Sequence, residues 1–399
     1  MEFDEAYYLG RYADVAQAVE RGEWASGFAH YCAVGKAQGR SASPGIDAAW
    51  YLAAYPGAAQ EIADGKASSA AEHYHAIGKF RGYLPSKAAR RPDDPASPAS
   101  RFGGLWTDAG NALDVIAGRV DLGQISATQA SLLTFWATNG YVVLPGAIPS
   151  DVPDRAEEDL DRAYRGEIPE LRFNVHTKGR ACAWCKETLE LPCKALDLHW
   201  YSAAIRQLIF ADDLLEFLHL IFERRALASQ TLSFWRGSAQ GPHQDSAYVN
   251  YSLPLQFAAS WIALEDVQPD AGELFYQVGS HRLPEFLYAG RFKGSEDARR
   301  TNRDLDLTAD LARHLVWIRE QAAGAGLRTE RFLAKRGDVL FWSADLAHGG
   351  GPISGVQTRK SVVTHYCPAE VAPSYFETKP NREVKRFGER SYYSSSHYR

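Results

Sequence analysis

Five short segments dense in β-branched and aromatic residues lie between residues 228 and 367: ASQTLSFW, QFAASWIAL, LFYQVG, GDVLFW and KSVVTHYC. Gly, Pro and Asp turns separate them, and short strands punctuated this way predict a β-sandwich or jelly roll. Helical patterns precede them. Ser126 is placed to cap a helix in SATQASLLTFWATN, which leads into the strand GYVVLPG. A polar helix is expected around DVPDRAEEDLDRAY and another near FADDLLEFLHLIF. The fold class is therefore α+β, and 399 residues leave room for this core and a smaller module.

The smaller module is a repeat. FDEAYYLGRYADV and the residues after it align without a gap on a second copy 43 positions later, so that Tyr8, Tyr12, Ser26, His30, Tyr31 and Gly35 each recur. Asp4 and Asp47 are placed to cap a short helix, and Ser69 with Glu72 forms a capping box. Each unit reads as a few short helices with an aromatic face. A unit this small cannot bury such a face alone, so the copies are expected to pack on each other or on a partner. His30 and His73 occupy equivalent places, where packing is a commoner role than metal ligation. The repeat resembles short units found beside catalytic domains in bacterial proteins linked to surface glycans, which implies a protein or glycan partner. The organisation expected is a two-copy helical repeat module over 1–87 and a Pro/Ala/Ser-rich linker over 88–124. The main domain follows over 125–375, with a mobile tail over 376–399.

Chemistry concentrates in two stretches. In GPHQDSAYV, His243 and Asp245 are two apart in a strand-like run, so both point to one side. Alone, such a pair is most often a polar strand end. A third ligand stands in RGDVLFWSADLAHGGGPISGVQTRKSVVTHY, where a strand leads to His348 and a glycine-rich turn that leaves room for a ligand. Arg359 follows eleven residues later. Two histidines and a carboxylate on one face of a metal form the facial triad of non-haem Fe(II) oxygenases, with open positions opposite. A nearby arginine can clamp a carboxylate through two parallel hydrogen bonds, as 2-oxoglutarate requires.

From about residue 130 to 370 the chain resembles the phytanoyl-CoA dioxygenase family of Fe(II)- and 2-oxoglutarate-dependent oxygenases. The resemblance rests on NGYVVLPGAI, QTLSFWRGSAQGPHQDSAYV, WIALEDVQPDAGELFYQVGSHR and GDVLFWSADLAHGGGP with TRKSVVTHY. It implies a double-stranded β-helix (jelly-roll, cupin-like) domain with flanking helices, and Fe(II), 2-oxoglutarate and O2 as cofactor and co-substrates. It places the iron ligands on His243, Asp245 and His348 and the oxoglutarate arginine on Arg359. Gln230, thirteen before the first ligand, and Trp261, sixteen past the aspartate, take co-substrate positions. Many members carry a hydroxyl two residues after the distal histidine, where this chain has Gly350; Thr358 or Ser361 is the expected substitute. Because Asp245 is retained, a halogenase is disfavoured. Hydroxylation of a small polar or glycan-related molecule, releasing succinate and CO2, is the first expectation, and Tyr248 is expected to line the substrate pocket. An acyl or amino-acid-like substrate is the alternative. A third reading is a jelly roll that keeps metal without turnover and serves as an interaction protein, which would make no succinate.

Other features are weaker. A formal charge of −5 gives no electrostatic case for nucleic acid. No basic n-region with an apolar h-region opens the chain, and no stretch approaches the roughly 20 apolar residues of a membrane span. Five cysteines, an odd number, argue against a disulfide scaffold, so a cytoplasmic protein is expected. His176, Cys182, Cys185 and Cys193 have the residue types of a zinc site without its paired spacing, and ordinary thiols are favoured. Residues 288–330 interrupt the strand pattern with Arg291, Lys293, Arg299, Arg300 and Arg303. They suggest either a lid that receives an anionic group or, more plainly, a solvated charged loop.

Overall fold

Alternation along the central strands decides the architecture. In β8 (Val339–Ser343), Val339 and Phe341 join one apolar cluster while Leu340 and Trp342 join another. β5 (Ala258–Ala263) divides the same way, with Ala258 and Ile262 on one side and Ala259, Trp261 and Ala263 on the other. A sheet buried on both faces needs a layer on each. Helices Ala127–Asn139, Val152–Tyr164, Ala203–Ile209 and Asp212–Phe222 close the first face through Trp136, Leu160, Ile205 and Phe217. A second sheet closes the other through Leu274, Tyr276 and Phe332.

This computed structural model describes residues 12–35, 48–67, 69–74, 100–175, 181–302, 304–373 and 384–393, with 3, 5, 8, 9, 38, 40 and 77. The chain divides into two units, residues 1–94 and 95–399. Among the described residues of the second unit, the larger sheet runs β1 (Tyr141–Leu144), β8, β5, β10 (Ser361–Pro368), β4 (Ala226–Phe234), β12 (Arg390–Tyr393), β11 (Val384–Phe387). β3 (Cys193–Leu196) also pairs with β4, and β2 (Arg172–Val175) with β3. The smaller sheet is β7 (Thr329–Phe332), β6 (Leu274–Gln277), β9 (His348–Gly350). Two facing, largely antiparallel sheets with helices outside form the double-stranded β-helix, here not closed into a barrel.

Local signals act as expected at the first long helix. Ser126 Oγ accepts from Gln129 N–H at 3.2 Å, the Gln129 side chain reaches back to Ser126 N–H, and Gly140 ends the helix at φ +79°. A β-bulge matters for the site. β10 pairs His365 with Gln230 and then Tyr366 with Ala228, so Ser229 is the extra residue and the strand changes face there.

Two boundaries differ from the sequence expectation. The linker expected over 88–124 does not extend that far, because helix Ala112–Asp121 and Leu105 pack into the main core through Leu105 and Ile116. Trp136 Nε1 also donates to Thr107 Oγ1 at 3.0 Å. The tail expected over 376–399 holds the hairpin β11–β12, whose Ser391 and Tyr392 add in parallel to β4. His199 Nε2 lies 2.6 Å from Tyr393 O and fixes the end of that hairpin.

In the first unit each copy of the 43-residue segment has its own small cluster, Tyr8, Val15 and Tyr31 in one and Tyr51, Tyr55, Ala58 and Ala70 in the other. Tyr8 OH meets His30 Nδ1 at 3.1 Å, and Tyr51 OH meets His73 Nδ1 at 2.9 Å. Both histidines are thus engaged by tyrosines. Ser26 and Ser69 Oγ accept from the N–H three residues on. Asp4 and Asp47 lie outside the described residues.

Candidate metal centre

Two segments carry the ligand atoms, and backbone pairing joins them. His243 N–H donates to His348 O and His348 N–H to His243 O, both at 2.9 Å, so residues 241–243 extend the smaller sheet along β9. The pair HxD begins on this edge, and a short 3-10 turn over Asp245–Ala247 follows. His243 Nε2 lies 3.7 Å from Asp245 Oδ1, and His348 Nε2 lies 3.8 Å from the same oxygen. One ligand atom from each of the three falls within 4.8 Å of the others, and all three residues are buried. This is the only such group among the described residues.

The surroundings fix which atoms face inward. His243 Nδ1 sits 2.9 Å from Gly241 O and His348 Nδ1 2.9 Å from Leu346 O. A carbonyl can only accept, so each Nδ1 carries the proton and each Nε2 lone pair is left for a metal. Burial and the neighbouring His348 push His243 down to about 3, keeping it neutral. Trp342 Nε1 donates to Asp245 Oδ2 at 2.8 Å, and His365 Nε2 lies 3.3 Å from it. Burial works to raise the Asp245 carboxyl, yet His348, His365 and His243 together hold it below the usual carboxylate range. With Oδ2 occupied, Oδ1 is the oxygen presented beside the two imidazoles. Two imidazole Nε2 atoms and one monodentate carboxylate are the donor set that a first-row divalent metal such as iron(II) takes.

A cavity of about 290 Å³ opens on this group. Its inner wall includes Phe234, Trp261, Leu274, Val363 and Arg359. Arg359 is 2 % exposed, its Nη1 donates to Gly272 O, and its Nε–H has no acceptor. Burial lowers the guanidinium to about 10, which leaves it charged at neutral pH. Trp261 Nε1 is also buried without an acceptor, and its ring lies 5.5 Å from the Arg359 guanidinium carbon. Orphaned buried donors beside a buried cation fit a carboxylate ligand. Lys194 lines the same cavity from β3, its ammonium lowered by burial against the opposing pull of Asp245.

Of the residues singled out from sequence, His243, Asp245, His348, Arg359, Gln230, Trp261 and Tyr248 all line this one cavity. Tyr248 stands at its mouth, 39 % exposed, with Asn174 and Glu296. Ser361 is not among the lining residues; it is fully buried at the start of β10, with Oγ 3.5 Å from Arg359 O. Thr358 instead donates to Glu265 at 2.9 Å. Gly349 and Gly350 line the cavity beside His348, and a side chain at either would meet the segment leading to His243. A Cβ on Gly349 would fall 2.7 Å from Gln240 O, and one on Gly350 would fall 2.7 Å from Ser238 Oγ.

Lys194, Trp342 and His365 were not read from the sequence. For His365 a signal existed: counting by twos from Arg359 along a strand reaches Val363 and His365, which share its face. Of the cations in 288–330, Arg291 and Arg299 are exposed, as a solvated loop expects, and Lys293 is not. Lys293 is buried and pairs with Asp345 at 2.8 Å, and His314 bridges Tyr288 OH (2.8 Å) and Gln244 Oε1 (3.2 Å). Arg303 and the side chain of Arg300 lie outside the described residues. So does His176, and burial pushes the Cys193 thiol up to about 12, which disfavours the thiolate that zinc would need. Among the described residues no helix is long and apolar enough to cross a membrane.

A family model described as phytanoyl-CoA dioxygenase matches residues 136–361. Among solved structures, the chain is similar to the non-haem α-ketoglutarate-dependent epimerase SnoN from nogalamycin biosynthesis. The two are 16 % identical over 67 % of this chain and 98 % of that one, with a TM-score of 0.46. It is also similar to EctD from S. alaskensis with bound Fe, at 16 % identity over 61 % of this chain and 77 % of that one, TM-score 0.42. No curated protein matches the chain.

Proposed function

As this chain belongs to the phytanoyl-CoA dioxygenase family of iron- and 2-oxoglutarate-dependent oxygenases, we propose that it hydroxylates a small polar or glycan-related substrate at the centre formed by His243, Asp245 and His348. The observation that carries the reading is the meeting of that buried triad, within 4.8 Å, with the buried, carboxylate-seeking Arg359 in one cavity. Bound iron(II), with 2-oxoglutarate and O2, supplies the oxidising power that turns a substrate C–H into C–OH as succinate and CO2 are released.

The protein's own residues do the rest. His243 and His348 turn their Nε2 atoms inward because carbonyls hold their Nδ1–H groups. Trp342 and His365 hold Asp245 Oδ2, which aims Oδ1 inward. Arg359, with the free Nε–H groups of Arg359 and Trp261, receives the far carboxylate of the co-substrate, and Lys194 lines the same cavity from the β3 side. Gln230, on the bulged strand beside His365, offers an amide near the triad. Tyr248, Asn174 and Glu296 at the mouth are groups that bind hydroxyls, which favours a polar substrate over an acyl chain. The first unit, residues 1–94, contributes none of these residues and is assigned to binding a protein or glycan partner.

The test replaces His243, Asp245 and His348 by Ala one at a time, measuring iron content and succinate formation. Each variant should lose most iron and all turnover. Three variants that retain stoichiometric iron and activity would end the reading.

A further inference from the structure

We infer that Ser238 is a 2-oxoglutarate-binding residue, its hydroxyl standing where the side chain of residue 350 would otherwise be. This rests on the reading that places the co-substrate carboxylate at Arg359. Residues 348 and 350 lie two apart on β9, so the side chain of residue 350 belongs on the face that carries His348. Gly350 has none. The ideal Cβ position there lies 2.7 Å from Ser238 Oγ and 3.3 Å from Ala239 N, so the serine hydroxyl fills that place from the neighbouring segment. Ser238, Gly350 and Arg359 line the same cavity.

The hydroxyl's orientation follows from its one hydrogen bond. Ser238 Oγ accepts from Gln240 N–H at 3.3 Å, which engages an acceptor lone pair and leaves the O–H proton uncommitted. The neighbouring backbone ties this serine to the arginine. Gly237 packs on Gly272, where a Cβ on Gly237 would fall 3.1 Å from Gly272 O, and that carbonyl accepts from Arg359 Nη1. A carboxylate at Arg359 therefore has a neutral O–H donor beside it. The two positions exclude one another, since a side chain at 350 and the hydroxyl of Ser238 compete for one space. That exclusion supplies the test.

The experiment uses full-length protein loaded with Mn(II), titrated anaerobically with 2-oxoglutarate in a calorimeter, so that no turnover enters the measurement. Ser238→Ala should weaken 2-oxoglutarate about tenfold, the scale of one hydrogen bond to a charged group. Its Mn(II) affinity should be unchanged. Gly350→Ser alone should also weaken binding, because two oxygens crowd one place. The double variant Ser238→Ala/Gly350→Ser should return binding to within about threefold of wild type. One substitution that harms the parent and repairs the alanine variant is a pattern that general destabilisation does not produce. If Ser238→Ala binds 2-oxoglutarate like wild type while Arg359→Ala does not, or if Gly350→Ser fails to repair Ser238→Ala, the inference falls and the Arg359 reading survives. If Arg359→Ala also binds normally, the placement of the co-substrate itself is wrong.

Discussion

Trp342→Phe isolates the hydrogen bond that orients the carboxylate ligand. The indole Nε1 donates to Asp245 Oδ2 at 2.8 Å inside the core, where Trp342 is 1 % exposed. Phe keeps an aromatic ring against His348, whose centroid lies 4.6 Å from that of Trp342, and removes only the donor and part of the ring. What remains for Oδ2 is His365 Nε2, at a longer 3.3 Å. A hydrogen bond to a buried charged group is worth about 1.5–3 kcal/mol. Losing one that orients a ligand typically weakens metal binding by about 10–100-fold. The assay is competition for Mn(II) against a chromophoric chelator under anaerobic conditions. Melting with and without metal gives a second readout, because at fixed excess metal a tenfold weaker site loses about 1.4 kcal/mol of metal-linked stabilisation. A smaller core side chain lowers stability with and without metal alike, so the difference between the two melts is free of it. If Trp342→Phe binds Mn(II) within about threefold of wild type, Trp342 does not orient Asp245 and the account of the monodentate ligand fails.

Three further outcomes follow from other parts of the fold. Arg359→Ala should raise the 2-oxoglutarate requirement for succinate formation at least about tenfold while Mn(II) affinity holds, since a buried carboxylate that loses its partner costs about 2–5 kcal/mol; an unchanged requirement would move the clamp elsewhere. Burial pushes His199 down to about 4, so the neutral form is the one folded. Its contribution to stability is present above the unfolded value near 6.5 and is lost as pH falls from there toward about 4, at up to about 1.4 kcal/mol per pH unit. Protection factors of the amides in 384–393, measured against intrinsic exchange rates at each pH, should therefore fall between pH 6.5 and 4.5, and equal protection factors across that range would contradict it. Lastly, a chain starting at residue 95 should fold, bind metal and decarboxylate 2-oxoglutarate, whereas one starting at residue 125 should not fold, because it lacks Leu105, Thr107 and Ile116. Succinate formation by the shorter chain would restore the longer linker.

The strands were legible because they obey period two, and HxD because it is a short local motif, although the structure puts Asp245 in a 3-10 turn and not on a strand with His243. HxD and the alternation in DVLFW depend only on neighbours in sequence, and β5, β8 and β10 appear where the pattern puts them. What escaped depends on contacts between distant segments. The helix Ala112–Asp121 carries a weak apolar pattern, and its burial comes from Trp136 and Phe217, which nothing local announces. The glycines after His348 line the cavity as expected, but only the course of residues 238–241 shows why no side chain fits there. Lys293 read as a solvated charge because its partner, Asp345, lies 52 residues on. The contact of His365 with Asp245 is not legible either, although its face follows from Arg359, because a lone histidine in a strand says nothing of what it touches.

The distant contacts also show how the protein's own packing holds the ligand atoms together. Burying two imidazoles and a carboxylate side by side costs solvation, and packing has to offset it. Here the two segments are joined by the paired His243–His348 backbone bonds, by Ser246 N–H to Ala344 O at 3.0 Å and by Gln244 Nε2 to Asp345 O at 2.7 Å. Gln244, between the two ligands, is held again by His314 of helix Thr308–Gly324, and Asp345 by Lys293 and Ser246. The segment between β6 and β7 therefore acts on the metal centre from behind. It clamps the residue that separates His243 from Asp245, so the spacing of the ligands is set by packing. A site built this way spends its metal-binding energy on coordination, with little left to order the chain.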